Sequence, residues 1–291
     1  MFEGIHTALI TPFRSGQVDE EALRAHVERQ IEAGVDGVVP CGSTGESATL
    51  SHLEHRRVVE IVVDAVKGRV PVIAGTGSNS TREAIELTLH AKQAGADGSL
   101  LLSPYYNKPT QEGIYAHYAA IAEATRFPLV IYNIPGRTSS NIAPEIIARL
   151  ARLEYVVGIK EACGNVDQIA HVIAKCPQEF SVLSGDDSLT LPLLALGAKG
   201  VISTTSNVAP RQIGELVRRF QRGDVAGAQA LHYSLLPLFD VLFCETNPIP
   251  VKAAVAELGW CSPEIRLPLT RITDANLERL KVVLKDLESL R

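Results

Sequence analysis

Cysteine is scarce and unpaired in this sequence. Cys41, Cys163, Cys176, Cys244 and Cys261 are odd in number and never form a C-x-x-C pair. That pattern speaks against a disulfide framework or a thiolate zinc site, and it predicts reduced thiols and a cytoplasmic location. The eight histidines are dispersed, with no H-E-x-x-H. His52 and His55 stand three residues apart, but no third ligand is obvious near them in the chain, so no metal is expected. There is no long basic run, and 33 acidic residues exceed 28 basic ones, which argues against a nucleic acid as partner. The opening M-F-E-G-I-H has neither the basic region nor the apolar stretch of a signal peptide. The longest uncharged stretches, such as 225–239, contain polar residues and are too short to span a bilayer.

What is present is a repeated turn. E-A-G-V-D-G-V-V (32–39), Q-A-G-A-D-G-S-L (93–100) and A-L-G-A-K-G-V-I (195–202) each end an amphipathic helix at a glycine and start an apolar strand a few residues later. Glycine stops the helix there because it accepts the left-handed conformation. The recurrence points to one βα unit used many times.

Reading outward from these turns gives eight strands, at about Thr7–Thr11, Gly37–Pro40, Pro71–Gly75, Ser99–Leu102, Leu129–Tyr132, Val156–Lys160, Ser181–Ser184 and Gly200–Ser203. Helices alternate with them, from Glu20–Glu32 to Pro210–Arg222, and Ser51 with Glu54 and Ser80 with Glu83 read as capping boxes. Eight alternations in about 220 residues fit an α/β fold, a (β/α)8 TIM barrel. A doubly wound sheet fits less well, because no G-x-G-x-x-G follows the first strand. Beyond residue 223 the pattern turns helical, at Val225–Cys244, Pro250–Leu258 and Asp274–Leu290. The expected organisation is therefore a catalytic barrel over 1–223 and a C-terminal helical domain over 224–291. The second part is expected to serve assembly more than chemistry.

Active sites of such barrels lie at the C-terminal ends of the strands, and the unusual residues fall there. Strand two is followed by C-G-S-T-G-E-S (41–47). This is either an ordinary loop or an anion nest, in which Ser43 and Thr44 add hydroxyls to backbone N–H groups. It lacks the Gly-Lys-Ser/Thr ending of a nucleotide loop. Strand four is followed by the adjacent pair Tyr105 and Tyr106. Strand five ends at Tyr132, with Arg137 in the loop beyond. A loop arginine is usually a solvated charge, but at a barrel mouth its planar fork suits a substrate carboxylate. Strand seven ends in S-G-D-D, where Gly185 lets backbone approach a ligand, and strand eight in V-I-S-T-T.

Strand six ends at Lys160, after the apolar run Tyr155-Val156-Val157-Gly158-Ile159. A cation at the end of a buried strand is costly unless it is paired or working. It either reaches out to solvent or forms a Schiff base. The second role requires the free amine, against an ordinary lysine value of about 10.4. Attack on an α-keto acid gives an iminium, and loss of a methyl proton then gives an enamine, a carbon nucleophile. The step needs a proton relay, which a phenol bridged by hydroxyls can supply. Three functions share these residues: a synthase that joins two substrates, an aldolase or dehydratase acting on a sugar acid or hydroxy-keto acid, and a non-catalytic ligand sensor.

The motifs G-S-T-G-E-S, P-V-I-A-G-T-G, P-Y-Y-N-K-P-T-Q-E-G, Y-N-I-P-G-R-T, G-I-K-E-A, S-G-D-D and N-P-I-P-V-K occur in this order along the chain. With them the sequence resembles the dihydrodipicolinate synthase family over nearly its whole length. The resemblance implies condensation of pyruvate with L-aspartate-4-semialdehyde, without a cofactor, in a homotetramer built as a dimer of dimers. It implies that Lys160 is the Schiff-base lysine and that Tyr132, Ser43 and Tyr106 form the proton relay, Tyr106 crossing from a neighbouring subunit. It places Thr44 at the pyruvate carboxylate, Arg137 at the semialdehyde carboxylate, and Gly185 and Ile202 as backbone contacts near the lysine. Many family members carry threonine where this chain has Ser43, which keeps the hydroxyl and loses the methyl that restricts its rotamer. The G-S-T-G-E spelling is shared with sialic-acid lyases, whereas Arg137 in its motif is not. The resemblance also implies a lysine-inhibitor site at Ser47, Ala48, His52, His55, Asn79, Glu83 and Tyr105.

Overall fold

The computed structural model describes residues 2–288. Eight parallel strands form its main sheet: β1 (Gly4–Ala8), β2 (Gly37–Val39), β3 (Ile73–Gly75), β4 (Gly98–Leu102), β5 (Leu129–Asn133), β6 (Val156–Glu161), β7 (Ser181–Ser184) and β8 (Gly200–Ser203). Their order, β2-β1-β8-β7-β6-β5-β4-β3, is that of a barrel opened at one seam. The seam closes through a bridge between Val38 and Val72, and Gly75 N donates to Pro40 O at 2.8 Å. Gly75 is required there, because a Cβ would stand 2.2 Å from the Cys41 carbonyl oxygen.

Helices α1 (Glu20–Glu32), α2 (His52–Val66), α3 (Thr81–Ala94), α4 (Gln111–Thr125), α5 (Pro144–Leu150), α6 (Val166–Lys175), α7 (Thr190–Leu196) and α8 (Pro210–Gln221) alternate with the strands. The periodic spacing of apolar residues explains them. In α2, for instance, Val58, Val59, Ile61, Val62, Ala65 and Val66 are buried, while Ser51 and Glu54 close a complete capping box. Inside the barrel, Ala8, Val39, Ile73, Leu100, Val130, Tyr132, Leu183 and Ile202 form one cluster. They come from seven of the eight strands, with Val130 and Tyr132 on the same face of β5, as a filled barrel requires.

Three expectations are corrected. The first strand lies three residues earlier than Thr7–Thr11, because pairing of Gly4 to Thr7 with β8 sets its register. Leu9 N still donates to Val39 O at 3.0 Å, but Ile10 leaves the ladder, and its N–H donates to Asn207 Oδ1 at 3.1 Å. The second capping box is only half made. Ser80 Oγ accepts from Glu83 N, but the Glu83 carboxylate turns to His52 and Ser78. A hairpin, Phe13–Arg14 with Gln17–Val18, and a short helix, Pro135–Thr138, escaped the periodicity because both are too short to show one.

After α8 come α9 (Val225–Leu242), α10 (Ile249–Glu257) and α11 (Asp274–Glu288). The end of the expected final helix, 289–290, lies outside the described residues. These helices are welded to the barrel by a fully buried ion pair. Lys252 of α10 bonds the carboxylate of Glu46, in the loop after β2. The Phe13 ring lies between Lys252 Nζ and the Arg266 guanidinium, 4.1 Å from each. Arg266 in turn pairs with Glu54 at 2.5 Å, and its backbone N–H donates to Glu46 at 3.1 Å. Breaking one side of a buried pair strands a charge. Lys252→Ala is therefore expected to cost about 3–5 kcal/mol, read from chemical denaturation. The double variant Lys252→Met, Glu46→Gln is expected to cost less than that single change.

Candidate active site

Strand alternation decides what faces the barrel axis. In β5 and β6, Tyr132 pairs in register with Lys160, and both point inward; Asn133 pairs with Glu161, and both point outward. Lys160 is only 5 % exposed, and its Nζ lies 4.4 Å from the centre of the Tyr132 ring. Among the described residues no carboxylate forms an ion pair with it, although Glu161 is its neighbour in sequence. The solvent-reaching alternative for Lys160 is thereby removed.

Six of the expected residues line one cavity of about 50 Å³: Lys160, Tyr132, Ser43, Thr44, Arg137 and Gly185. Gly185 is dictated by the lysine itself, since a Cβ there would stand 2.9 Å from Lys160 Cε and 2.8 Å from Ala162 Cβ. Ser43 and Thr44 sit in the loop after β2, which is bounded by Cys41 and Glu46, both held at positive φ. Arg137 is presented by the short helix 135–138, and its guanidinium donates to Asn247 O at 2.9 Å.

Two expected residues lie elsewhere. Ile202 is buried in the barrel cluster beside Tyr132 and is not part of the cavity wall. Tyr106 is 89 % exposed, at φ +71°, and is not part of the cavity wall of its own chain. Its loop is tied down by Asn107 Nδ2, which donates to Asn79 O at 2.9 Å.

The cavity also holds residues that the sequence did not single out. Thr204, at the end of β8, shares a 3.3 Å hydroxyl contact with Thr44, and Asn247 Nδ2 donates to Thr44 Oγ1 at 3.0 Å. The turn carrying Thr204 is fixed by Asp187, which accepts from Thr204 N, Thr205 N and Thr205 Oγ1 at 2.8–3.1 Å. Asn247 and Phe243 belong to the C-terminal part, so that part completes the cavity. The signal for Asn247 lay in the N-P-I-P-V-K motif. Its meaning depends on a contact made across about two hundred residues.

At the second expected site, His52 Nε2 lies 2.9 Å from Glu83 Oε1, and Ser78 Oγ donates to the same carboxylate. Asn79 Nδ2 donates to Tyr105 O at 3.2 Å. His55, in contrast, is buried, and its Nε2 lies 2.8 Å from Gly75 O. Burial lowers its imidazole below the usual range. Ser47 and Ala48 lie in the preceding 3₁₀ turn. Among the described residues no group of three His, Cys, Asp or Glu side chains could hold a metal ion.

A barrel whose sixth strand ends in a buried lysine, opposite a tyrosine and beneath two hydroxyls, defines a Schiff-base-forming lyase of the aldolase type. More specifically, the chain belongs to the dihydrodipicolinate synthetase family, whose sequence model matches residues 1–287. It is 58% identical to 4-hydroxy-tetrahydrodipicolinate synthase of Syntrophus aciditrophicus (strain SB) over 286 residues, 98% of each chain. The structure of 4-hydroxy-tetrahydrodipicolinate synthase from the thermoacidophilic methanotroph Methylacidiphilum fumariolicum SolV superposes with a TM-score of 0.98 at 48% identity, covering 99% of this chain and 97% of that one. The dihydrodipicolinate synthase of Cyanidioschyzon merolae, solved with lysine bound, superposes with a TM-score of 0.96 at 42% identity, covering 99% and 98%.

Behind Lys160, on the outer face of β6, Glu161 is fully buried and accepts from Asn133 Nδ2 at 2.6 Å. Loss of hydration pushes its carboxyl up to about 7. The folded state therefore holds a proton there that the unfolded chain has already lost. Stability from this group is full below the unfolded value of about 4.5, falls as pH rises towards 7, and is gone above it. Glu161→Gln is expected to raise stability at pH 8 relative to the parent by roughly 3 kcal/mol and to change it little at pH 4. Paired denaturation curves at the two pH values check this.

Proposed function

We propose that this chain condenses pyruvate with L-aspartate-4-semialdehyde, the first step committed to diaminopimelate and lysine. The observation that carries the reading is the register pairing of Lys160 with Tyr132 at the floor of a cavity whose wall includes Arg137. The Lys160 amine attacks the keto carbon of pyruvate and water leaves, giving the iminium. A methyl proton is then lost, and the enamine carbon forms the new bond to the aldehyde carbon of the second substrate. Tyr132 relays protons to and from these intermediates, with Ser43 and Tyr106 as its partners. Thr44, backed by Thr204 and Asn247, holds the pyruvate carboxylate, and Gly185 and Ile202 give the lysine its backbone surroundings. Arg137 binds the semialdehyde carboxylate and so selects this substrate over a sugar acid.

The exposed, positive-φ Tyr106 supports its action in the site of a neighbouring subunit, within a tetramer of two tight dimers. The end of α8 at Gln221 supports a division into a barrel, 1–223, and a helical part, 224–291. Among the described residues no helix is long and apolar enough to cross a membrane. The unpaired cysteines support a place in the cytoplasm. In an assay coupled to product removal, Arg137→Ala is expected to lower kcat/KM for the semialdehyde by about 100-fold or more. Borohydride with pyruvate is expected to trap the same adduct on Lys160 in both proteins. Absence of that adduct from the parent would defeat the reading, and an unchanged kcat/KM would remove Arg137 from it.

We propose further that lysine inhibits the enzyme at the site around Ser47, Ala48, His52, His55, Asn79, Glu83 and Tyr105. The His52–Glu83 contact offers a carboxylate for an ammonium group and an imidazole for a carboxylate. Titration of the initial rate with lysine is expected to give saturable inhibition that Glu83→Gln weakens. A flat response at millimolar lysine would sink the idea.

A further inference from the structure

A larger groove, of about 880 Å³, lies on the outside of the barrel where α1, α8 and α9 meet the loop carrying Trp260. It shares no wall residue with the catalytic cavity. Its volume is in the range of small-molecule sites, and its polar groups are unusually placed.

The first is the start of α8. Pro210 occupies the first turn, and no side chain caps the helix. The N–H groups of Arg211 and Gln212 have no turn before them to bond, and they belong to the end of the helix that attracts negative charge. Both residues line the groove. The second, independent of the helix, is Gln30 of α1. It is fully buried and reaches the groove wall; its Oε1 accepts from Thr7 Oγ1 at 2.8 Å, while its Nε2 donates to nothing among the described residues. A buried amide donor without a partner costs free energy unless a ligand or water supplies an acceptor. The third is Arg29, whose guanidinium lies over the Trp260 ring at 5.2 Å and whose Nη1 is likewise buried without a partner.

Charge points the same way. Three arginines face two glutamates across the groove. One of these, Glu215, is already engaged by Arg219 at 2.9 Å and by Arg222 at 3.1 Å. Among the described residues Arg211 reaches only the backbone carbonyl of Glu32, at 3.3 Å. Besides these the wall holds the Glu32 carboxylate, the Trp260 indole beside Arg29, and the apolar side chain of Leu231.

We infer that this groove binds a small oxyanion-bearing ligand with a flat apolar body. The carboxylate or phosphate sits between the start of α8 and the donors of Arg211, Gln30 and Arg29, and the body packs on Trp260. The site is separate from the catalytic cavity, with which it shares no wall residue.

Trp260 is the one tryptophan of the chain, so its fluorescence reports on the groove directly. The test titrates the full-length protein with inorganic phosphate, as the bare anion, and with phenyl phosphate, as an anion with a ring. Phenyl phosphate is expected to change Trp260 fluorescence saturably, with half-saturation at least about tenfold below that of inorganic phosphate, as stacking on the indole adds to the anion contact. Arg211→Ala, an exposed change that leaves the fold intact by circular dichroism, is expected to weaken phenyl phosphate binding about tenfold or more. Gln30→Glu, similar in shape but acidic, is expected to abolish it. Trapping pyruvate on Lys160 with borohydride beforehand is expected to leave the titration unchanged. A response that never saturates overturns the proposal. So does one equal in parent and Arg211→Ala, or one lost when the catalytic lysine is blocked.

Discussion

The rest of the structure depends on one constraint, a buried amine without a counter-charge among the described residues. Lys160 is held inside a barrel, against the face of a tyrosine, with its nearest carboxylate in sequence turned to the opposite side of the strand. Strand geometry enforces this, because neighbours in a strand face opposite sides. One residue of register slip in β6 would exchange Lys160 for Glu161 and destroy the cavity. The pairings of Tyr132 with Lys160 and of Lys160 with Leu183 fix that register from both sides. The barrel matters to the chemistry mainly through this fixing.

The loop after β2 is the second structural element of the site, and it is not self-supporting. Two of its residues adopt positive φ without being glycine, a conformation that needs outside support. The support comes from the far end of the chain. Lys252 holds Glu46, Asn247 holds Thr44, and Arg266 joins Glu46 to the start of α2 through Glu54. The C-terminal helices thus act as a brace for the hydroxyl turn. The same weld leaves the groove beside Trp260 between barrel and brace, with polar groups on its wall that the fold itself does not satisfy.

Much of this was legible in the sequence where the signal is local. Strands β7 and β8 and helix α1 begin and end where periodicity and caps place them. Lys160, Tyr132, Ser43, Thr44, Arg137 and Gly185 fall together in one cavity, because a barrel brings every strand end to one rim. The first strand was misplaced because Leu9-Ile10-Thr11 is as apolar and β-branched as Gly4–Ala8, and only the ladder with β8 distinguishes them. The capping residue Glu83 was read as closing its own helix. Its carboxylate is drawn instead to His52 and Ser78, groups that approach it only in the folded chain.

The sequence by itself determined the class of fold and which residue types would stand at the strand ends. Those follow from hydrophobic period, turn glycines and caps, all of which act within a few residues. The tertiary structure alone decided that Lys160 has no ionic partner among the described residues, that Asn247 and Phe243 belong to the cavity, and that Tyr106 stands exposed outside it. It alone decided, too, that an uncapped helix start shares a groove with an unpaired glutamine amide. Each of these depends on which distant groups meet once the barrel closes, and no local pattern encodes a meeting between residues two hundred apart.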